Sequence, residues 1–158
     1  MISQTILDQV NSIIVSKYPN NKYVHSTTIL VQATIPANQA AGTAANASMT
    51  INNSSFSDYA IPDSQVWLIT DMYSSATSQI ATDATATYVL NGTKVLQTSA
   101  PLSTNYVGNN TRPGVSSPMV FKPNSHITIP VAPIATAGTA VTTDTFFLSV
   151  TIYDSTFQ

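Results

Sequence analysis

Apolar residues recur at helical spacing over the first eighteen positions, and after residue 21 the period of the regular segments changes to two. Ile2, Ile6, Leu7, Val10, Ile13 and Ile14 fall on one stripe of a 3.6-residue repeat, which predicts an amphipathic helix. Tyr18-Pro19-Asn20-Asn21 ends it, because proline drives the preceding residue out of the helical region and asparagine favours turns. The chain therefore divides into an N-terminal helical arm, residues 1–21, and a β domain, residues 22–158.

Within the β domain, Tyr23 to Ile35 alternates, with Ile29, Val31, Ala33 and Ile35 on one face and Thr28, Gln32 and Thr34 on the other. Pro36 closes that strand, since proline cannot donate to a ladder. A small-residue loop (37–46) leads to a short strand at Ala47, Met49 and Ile51, and residues 52–55 turn the chain. Gln65 to Tyr73 is apolar on both faces, as expected of a central strand covered on both sides or of one at a subunit contact. Asn91-Gly92 between Ala86–Leu90 and Thr93–Gln97 predicts a hairpin, because a type I′ turn needs two residues at positive φ. Residues 99–118 form a long irregular stretch. Met119–Phe121, a Pro123-Asn124-Ser125 turn, His126–Val131, a second small-residue loop (133–144) and Phe146–Tyr153 complete the pattern. Ile35-Pro36 leading to Ala41-Gly42-Thr43-Ala44 is echoed by Ile129-Pro130 leading to Ala137-Gly138-Thr139-Ala140, which predicts one loop type used twice at one end of the fold. About eight strands without βαβ alternation predict an all-β fold, a two-sheet antiparallel β-sandwich.

Composition changes the picture most through what is missing. Charged residues are 8% of the chain, against roughly 25% in ordinary soluble domains. Thr, Ser, Asn and Gln replace them, at 62 of 158 residues, and all seven acidic residues are Asp. The five basic residues (Lys17, Lys22, Lys94, Arg112, Lys122) are scattered, so no direct binding to a nucleic-acid backbone is expected. So few charges also weaken the usual defence against self-association. They make stability nearly independent of pH, which suits an acidic habitat. No apolar run is long enough to span a bilayer. The polar face of the helix is too weakly basic for strong attraction to a membrane surface. The first twenty residues lack the basic start and cleavage site of a signal peptide, so an extracellular role implies another exit, such as release inside a virus particle.

Catalytic chemistry is thinly represented. There is no cysteine, no G-x-S-x-G elbow and no glycine-rich phosphate loop, and only His25 and His126 could act as a histidine base. Metal-ligand spacing is also missing, so neither a metal nor another cofactor is expected. Asp58, Asp63 and Asp83 read as turn-capping residues rather than calcium ligands, while Asp71 sits oddly inside the most apolar strand. Asn-x-Ser/Thr sequons occur at Asn46, Asn52, Asn53, Asn91 and Asn109, close to what this composition produces by chance. No enzyme is expected.

Several blocks carry a likeness. They are Tyr59 to Asp71 (Tyr-x-Ile-Pro-Asp-x-x-Val-Trp-Leu-Ile-Thr-Asp), Tyr88 to Gly92, Pro123 to Ile129, and the closing Phe146 to Tyr153. In this order the chain resembles, over about residues 22–154, the single jelly-roll virion proteins of icosahedral viruses, particularly of archaea and thermophilic bacteria. The resemblance implies an eight-stranded jelly roll that self-assembles into a capsid or surface lattice. It implies partners that are copies of itself and other virion proteins, a place in the virion, and no catalytic residues. The contact elements expected from the sequence are the helix face at Ile6, Val10 and Ile13, the small-residue loops 37–46 and 133–143, and the free face of Val66–Tyr73, with Trp67 and Tyr73 as its anchors. Deleting residues 1–18 would then leave a folded monomer that no longer assembles. A tail-fibre or glycan-binding module would instead place Tyr59, Trp67 and Tyr106 on a rim, and Trp67 also fits a core position. An archaeal surface-filament subunit would donate an extended, not helical, N-terminal segment to its neighbour.

Overall fold

The structure, a computed structural model, describes residues 4–74, 84–90, 93–97 and 119–156. One helix, α1 (Gln4–Lys17), precedes twelve strand segments. In chain order they are β1 (Tyr23–Ile35), β2 (Ala45–Asn46), β3 (Ser48–Ile51), β4 (Ser54–Phe56), β5 (Tyr59–Ala60), β6 (Gln65–Ser74), β7 (Ala84–Leu90), β8 (Thr93–Gln97), β9 (Met119–Phe121), β10 (His126–Thr128), β11 (Pro130–Pro133) and β12 (Thr142–Asp154). Every described strand pairing is antiparallel.

The first sheet has six strands in the order β4-β3-β1-β12-β6-β9. Its backbone is the ladder of β1 with β12, unbroken from Tyr23↔Asp154 to Ile35↔Thr142. The small-residue loop expected over 133–144 is therefore shorter, because Thr142–Thr145 continue the strand beside β1. Threonine is β-branched, and a fully paired ladder carries it although these residues lack the apolar alternation that marks a strand in sequence. On the other side of β12, β6 carries one unpaired residue, Thr70, between Ile69↔Val150 and Asp71↔Ser149. This bulge shifts the register by one residue.

The second sheet is built on β7, which pairs with β8 on one side and with β10 and β11 on the other. Ile127↔Leu90 and Val131↔Ala86 lie in one register, so β10 and β11 act as a single strand interrupted at Ile129, just before Pro130, which has no N–H to donate. Two short segments line its far edge, β5 at Ile127↔Tyr59 and β2 at Val131↔Ala45. Between β2 and β3 the chain switches sheets at Ala47, whose N–H bonds to the Ile129 carbonyl. The structure thus divides the expected eight strands more finely: β2 falls at the end of the expected 37–46 loop, and β4 begins in the expected 52–55 turn.

Turn chemistry explains the tight corners. Asn52 (φ 51°) and Asn53 (φ 63°) both sit in the left-handed region between Ile51↔Ser54, the geometry of a type I′ hairpin. Asparagine tolerates that region better than other non-glycine residues. Pro123 followed by Asn124 (φ 63°) gives the type II pattern, closed by Ser125 N–H to the Lys122 carbonyl. The Asn91-Gly92 turn itself lies outside the described residues, but Leu90↔Thr93 pair across it as the hairpin requires.

Side chains of both sheets meet in one core. Ile29, Val31, Ala33 and Ile35 from β1 are buried with Trp67, Ile69, Phe121, Leu148, Val150 and Ile152 of the same sheet and Ile127, Ile129 and Val131 of the other. Each such aliphatic side chain contributes about 1.5–3 kcal/mol by burial. The alternation read from β1 is the alternation observed.

Candidate functional site

Helix α1 lies on the outer face of the first sheet. Its stripe does not project. Ile14 is 2% exposed and packs with Val66, Leu68 and Tyr153 on the outer face of the first sheet, flanked by Val10, Tyr18 and Val120. Leu7 reaches the main core. Tyr153 Oη donates to Asn11 Oδ1 at 2.7 Å, and burial pushes the Tyr153 phenol pKa up. The side-chain amide of Asn21 donates to the carbonyls of Ser64 and Tyr153, both at 2.9 Å, and fixes the link between helix and sheet.

This docking revises the expected contacts. The face Ile6, Val10, Ile13 is split: Val10 turns toward the sheet, whereas Ile13 is 62% exposed and Ile6 and Val15 are exposed too. Trp67 is only 1% exposed, so it offers no surface to a neighbouring molecule. Over residues 66–69, β6 has no free face at all, because Trp67 and Ile69 enter the main core while Val66 and Leu68 lie under the helix. Tyr73 sits opposite Phe147 in the ladder, and its side chain lies outside the described residues, as do Tyr106 and the 99–118 stretch. Deleting residues 1–18 would uncover Val66, Leu68 and Tyr153 rather than release an independent arm.

The two small-residue loops come together. Asn38 N–H bonds to the Gly138 carbonyl, Ala137 N–H to the Gln39 carbonyl and Gly42 N–H to the Pro133 carbonyl, at 2.8, 2.8 and 2.9 Å. Gly42 occupies a positive φ of 76° that its missing Cβ permits. Beside these paired loops Ile134 and Val141 are exposed, Val141 at 63%. Nothing in the periodicity marked these two residues as surface, because a loop has no face to read.

At the opposite end, where β1 begins and β12 ends, the core gives way to a polar network. Trp67 Nε1 donates to Gln65 Oε1 at 2.8 Å, and Gln65 Nε2 donates to Asp154 Oδ2 at 2.9 Å. The other Asp154 oxygen accepts from the Thr156 N–H and hydroxyl at 2.8 and 2.6 Å. Burial, at 7% exposure, would by itself push the Asp154 pKa up; the bonds from Thr156 and Gln65 and the field of His25 outweigh it and hold the carboxyl below its ordinary value.

Next to the network lies a cleft of about 350 Å³ between the sheets, with His25, Thr27, Asn52, Tyr59, Gln65 and Trp67 among its lining residues. It exists because the inward row of β1 continues past Ile29 to Thr27 and His25, where the second sheet has only two-residue β5 to cover it. His25 Nδ1 is buried without a hydrogen-bond partner. Burial also raises the Tyr59 phenol pKa. The sequence carried one signal for this cleft, the change from Ile29 to Thr27 and His25 along a single strand face. The second histidine, His126, pairs through Nδ1 with Asp58 Oδ1 at 2.7 Å on the exposed surface. Among the described residues no three His, Asp, Glu or Cys side chains gather as metal ligands.

No protein-family model matches the chain. No curated protein matches it at a significant level.

Proposed function

We propose that this protein is a non-enzymatic structural protein of a virion, a jelly-roll β-sandwich that assembles with copies of itself and other virion proteins. The jelly-roll reading is supported by nested pairing. Taking β10–β11 as one strand and the β2–β3 excursion as another, the principal strands pair first with last (β1·β12), second with seventh (β2·β11), third with sixth (β6·β9) and fourth with fifth (β7·β8). A long hairpin rolled into two facing sheets produces this order.

The observation that carries self-assembly is a surface with few charges and three separate sets of exposed apolar side chains, one of them Tyr23 and Val24 at the start of β1. Ile6, Ile13 and Val15 lie on the helix, and Ile134 and Val141 lie beside the paired loops. On the first sheet Ser26, Thr28, Thr70, Ser149 and Thr151 line a shallow depression of about 170 Å³ that has no charged side chain among its described lining residues and can pack without desolvating ions. A filament subunit donating an extended N-terminal strand is less well supported, since residues 4–17 are helical and packed on their own sheet.

Sedimentation velocity of the full chain tests the reading. We expect discrete large species that grow with protein concentration and persist at about 1 M salt, where charge interactions are screened within about 3 Å. A monomer across the whole range would overturn it.

A further inference from the structure

The cleft at the β1 end has no part in the assembly reading and stands apart from it. We propose that it binds an uncharged, hydroxyl-rich ligand, a neutral mono- or disaccharide. Its volume of about 350 Å³ falls within the range of about 300–1,000 Å³ typical of small-molecule sites. No lysine, arginine, aspartate or glutamate lines it among the described residues. A phosphate, carboxylate or ammonium entering there would lose hydration with no lysine, arginine or carboxylate in the described lining to pair with. What the lining does present is a set of neutral donors and acceptors, from Thr27, Thr50, Asn52 and Gln65, beside an aromatic wall.

That wall is preorganised. The Tyr59 ring lies tilted against Trp67 at 5.2 Å and edge-on to Phe56 at 5.0 Å, so its position is set before any ligand arrives. A fixed aromatic ring with hydroxyl-bonding groups around it matches a pyranose, which has an apolar C–H face and a polar edge. His25 adds a polar group that the fold leaves unsatisfied, since its Nδ1 is buried with no partner. His25 lines the cleft, and a ligand hydroxyl that reached this nitrogen would remove the cost of the orphan.

Trp67 is the only tryptophan and lines the cleft, so its fluorescence reports occupancy in the full-length protein at concentrations too low for assembly. The probes are lactose, maltose and cellobiose, with glucuronate and glucosamine as charged counterparts. We expect a saturable change with at least one neutral sugar and binding at least about tenfold weaker for the charged ones. Thr27→Val and His25→Ala, each checked for an unchanged thermal melt, weaken the neutral sugar by about tenfold. Gln32→Ala, exposed on the outer face of β1, leaves it unchanged. No saturable response to any neutral sugar up to about 100 mM overturns the proposal. So does equal binding of the charged sugars, or of both cleft variants.

Discussion

Replacing Ile14 by alanine removes the side chain at the centre of the helix–sheet contact, and Ile13→Ala is its internal control one residue away. Ile14 is 2% exposed and Ile13 is 62% exposed on the same helix. Truncating a buried isoleucine costs about 2–5 kcal/mol, from the lost transfer energy and the cavity left behind. Because α1 can shift slightly over Val66, Leu68 and Tyr153 to close part of that cavity, we place Ile14→Ala near 3 kcal/mol. Ile13→Ala loses almost no burial and gains a few tenths of a kcal/mol in helix propensity, so it stays within about 0.5 kcal/mol of the parent. The assay is urea unfolding at neutral pH, in the dilute range where the chain has not assembled, followed by Trp67 fluorescence and by circular dichroism. The midpoint of Ile14→Ala should fall with an unchanged slope, and it should not depend on protein concentration, because the helix docks on its own chain. Equal effects of the two substitutions, or a midpoint that rises with concentration, would refute the docking and return α1 to a neighbouring molecule.

Three further outcomes follow from the same geometry. Deleting residues 1–17 should give a less stable chain that binds hydrophobic dyes and aggregates; a well-behaved truncated monomer of parental melting temperature would contradict the covering role of α1 over Val66 and Leu68. Asp154 is an acid whose pKa is lower folded than its ordinary value of 3.8, so its contribution is complete above pH 3.8 and is lost as pH falls through the folded value. Thermal melts should hold level down to about pH 4 and drop below that, while Asp154→Asn costs about 1–3 kcal/mol at neutral pH by disturbing the Gln65–Trp67 bond and flattens the acid limb; a parental acid limb in the variant contradicts this. Asn53→Val forces a β-branched residue into φ 63° and should lower stability by about 1–2 kcal/mol in urea melts, whereas Asn53→Gly should match or exceed the parent.

Much of the frame was legible because its long elements repeat their period many times. Tyr23–Ile35 appears where its alternation put it, and Gln65–Ser74 where a run apolar on both faces put it. The helix was readable in the same way, but its partner was not: a stripe says that one side must be covered, not by what, and Ile14 turned out to cover the strand whose second apolar face had looked free. Two- and three-residue segments such as β2, β4 and β5 are too short to show a period, and they exist only because longer strands offer them an edge. Trp67 illustrates the remaining ambiguity, since an aromatic in a doubly apolar strand fits a core and a contact equally well until burial is known. The cleft was least visible. It depends on where the second sheet stops, and no residue of β1 records the length of β5.

Electron microscopy of the purified full chain under assembly conditions tests self-assembly most directly. We expect closed shells or extended sheets with one repeating unit, in which the exposed residues Ile13 and Val15 of α1, or Ile134 and Val141 beside the paired loops, lie at the contacts between copies. Single dispersed particles the size of one domain, at every concentration, salt and pH tried, would contradict it.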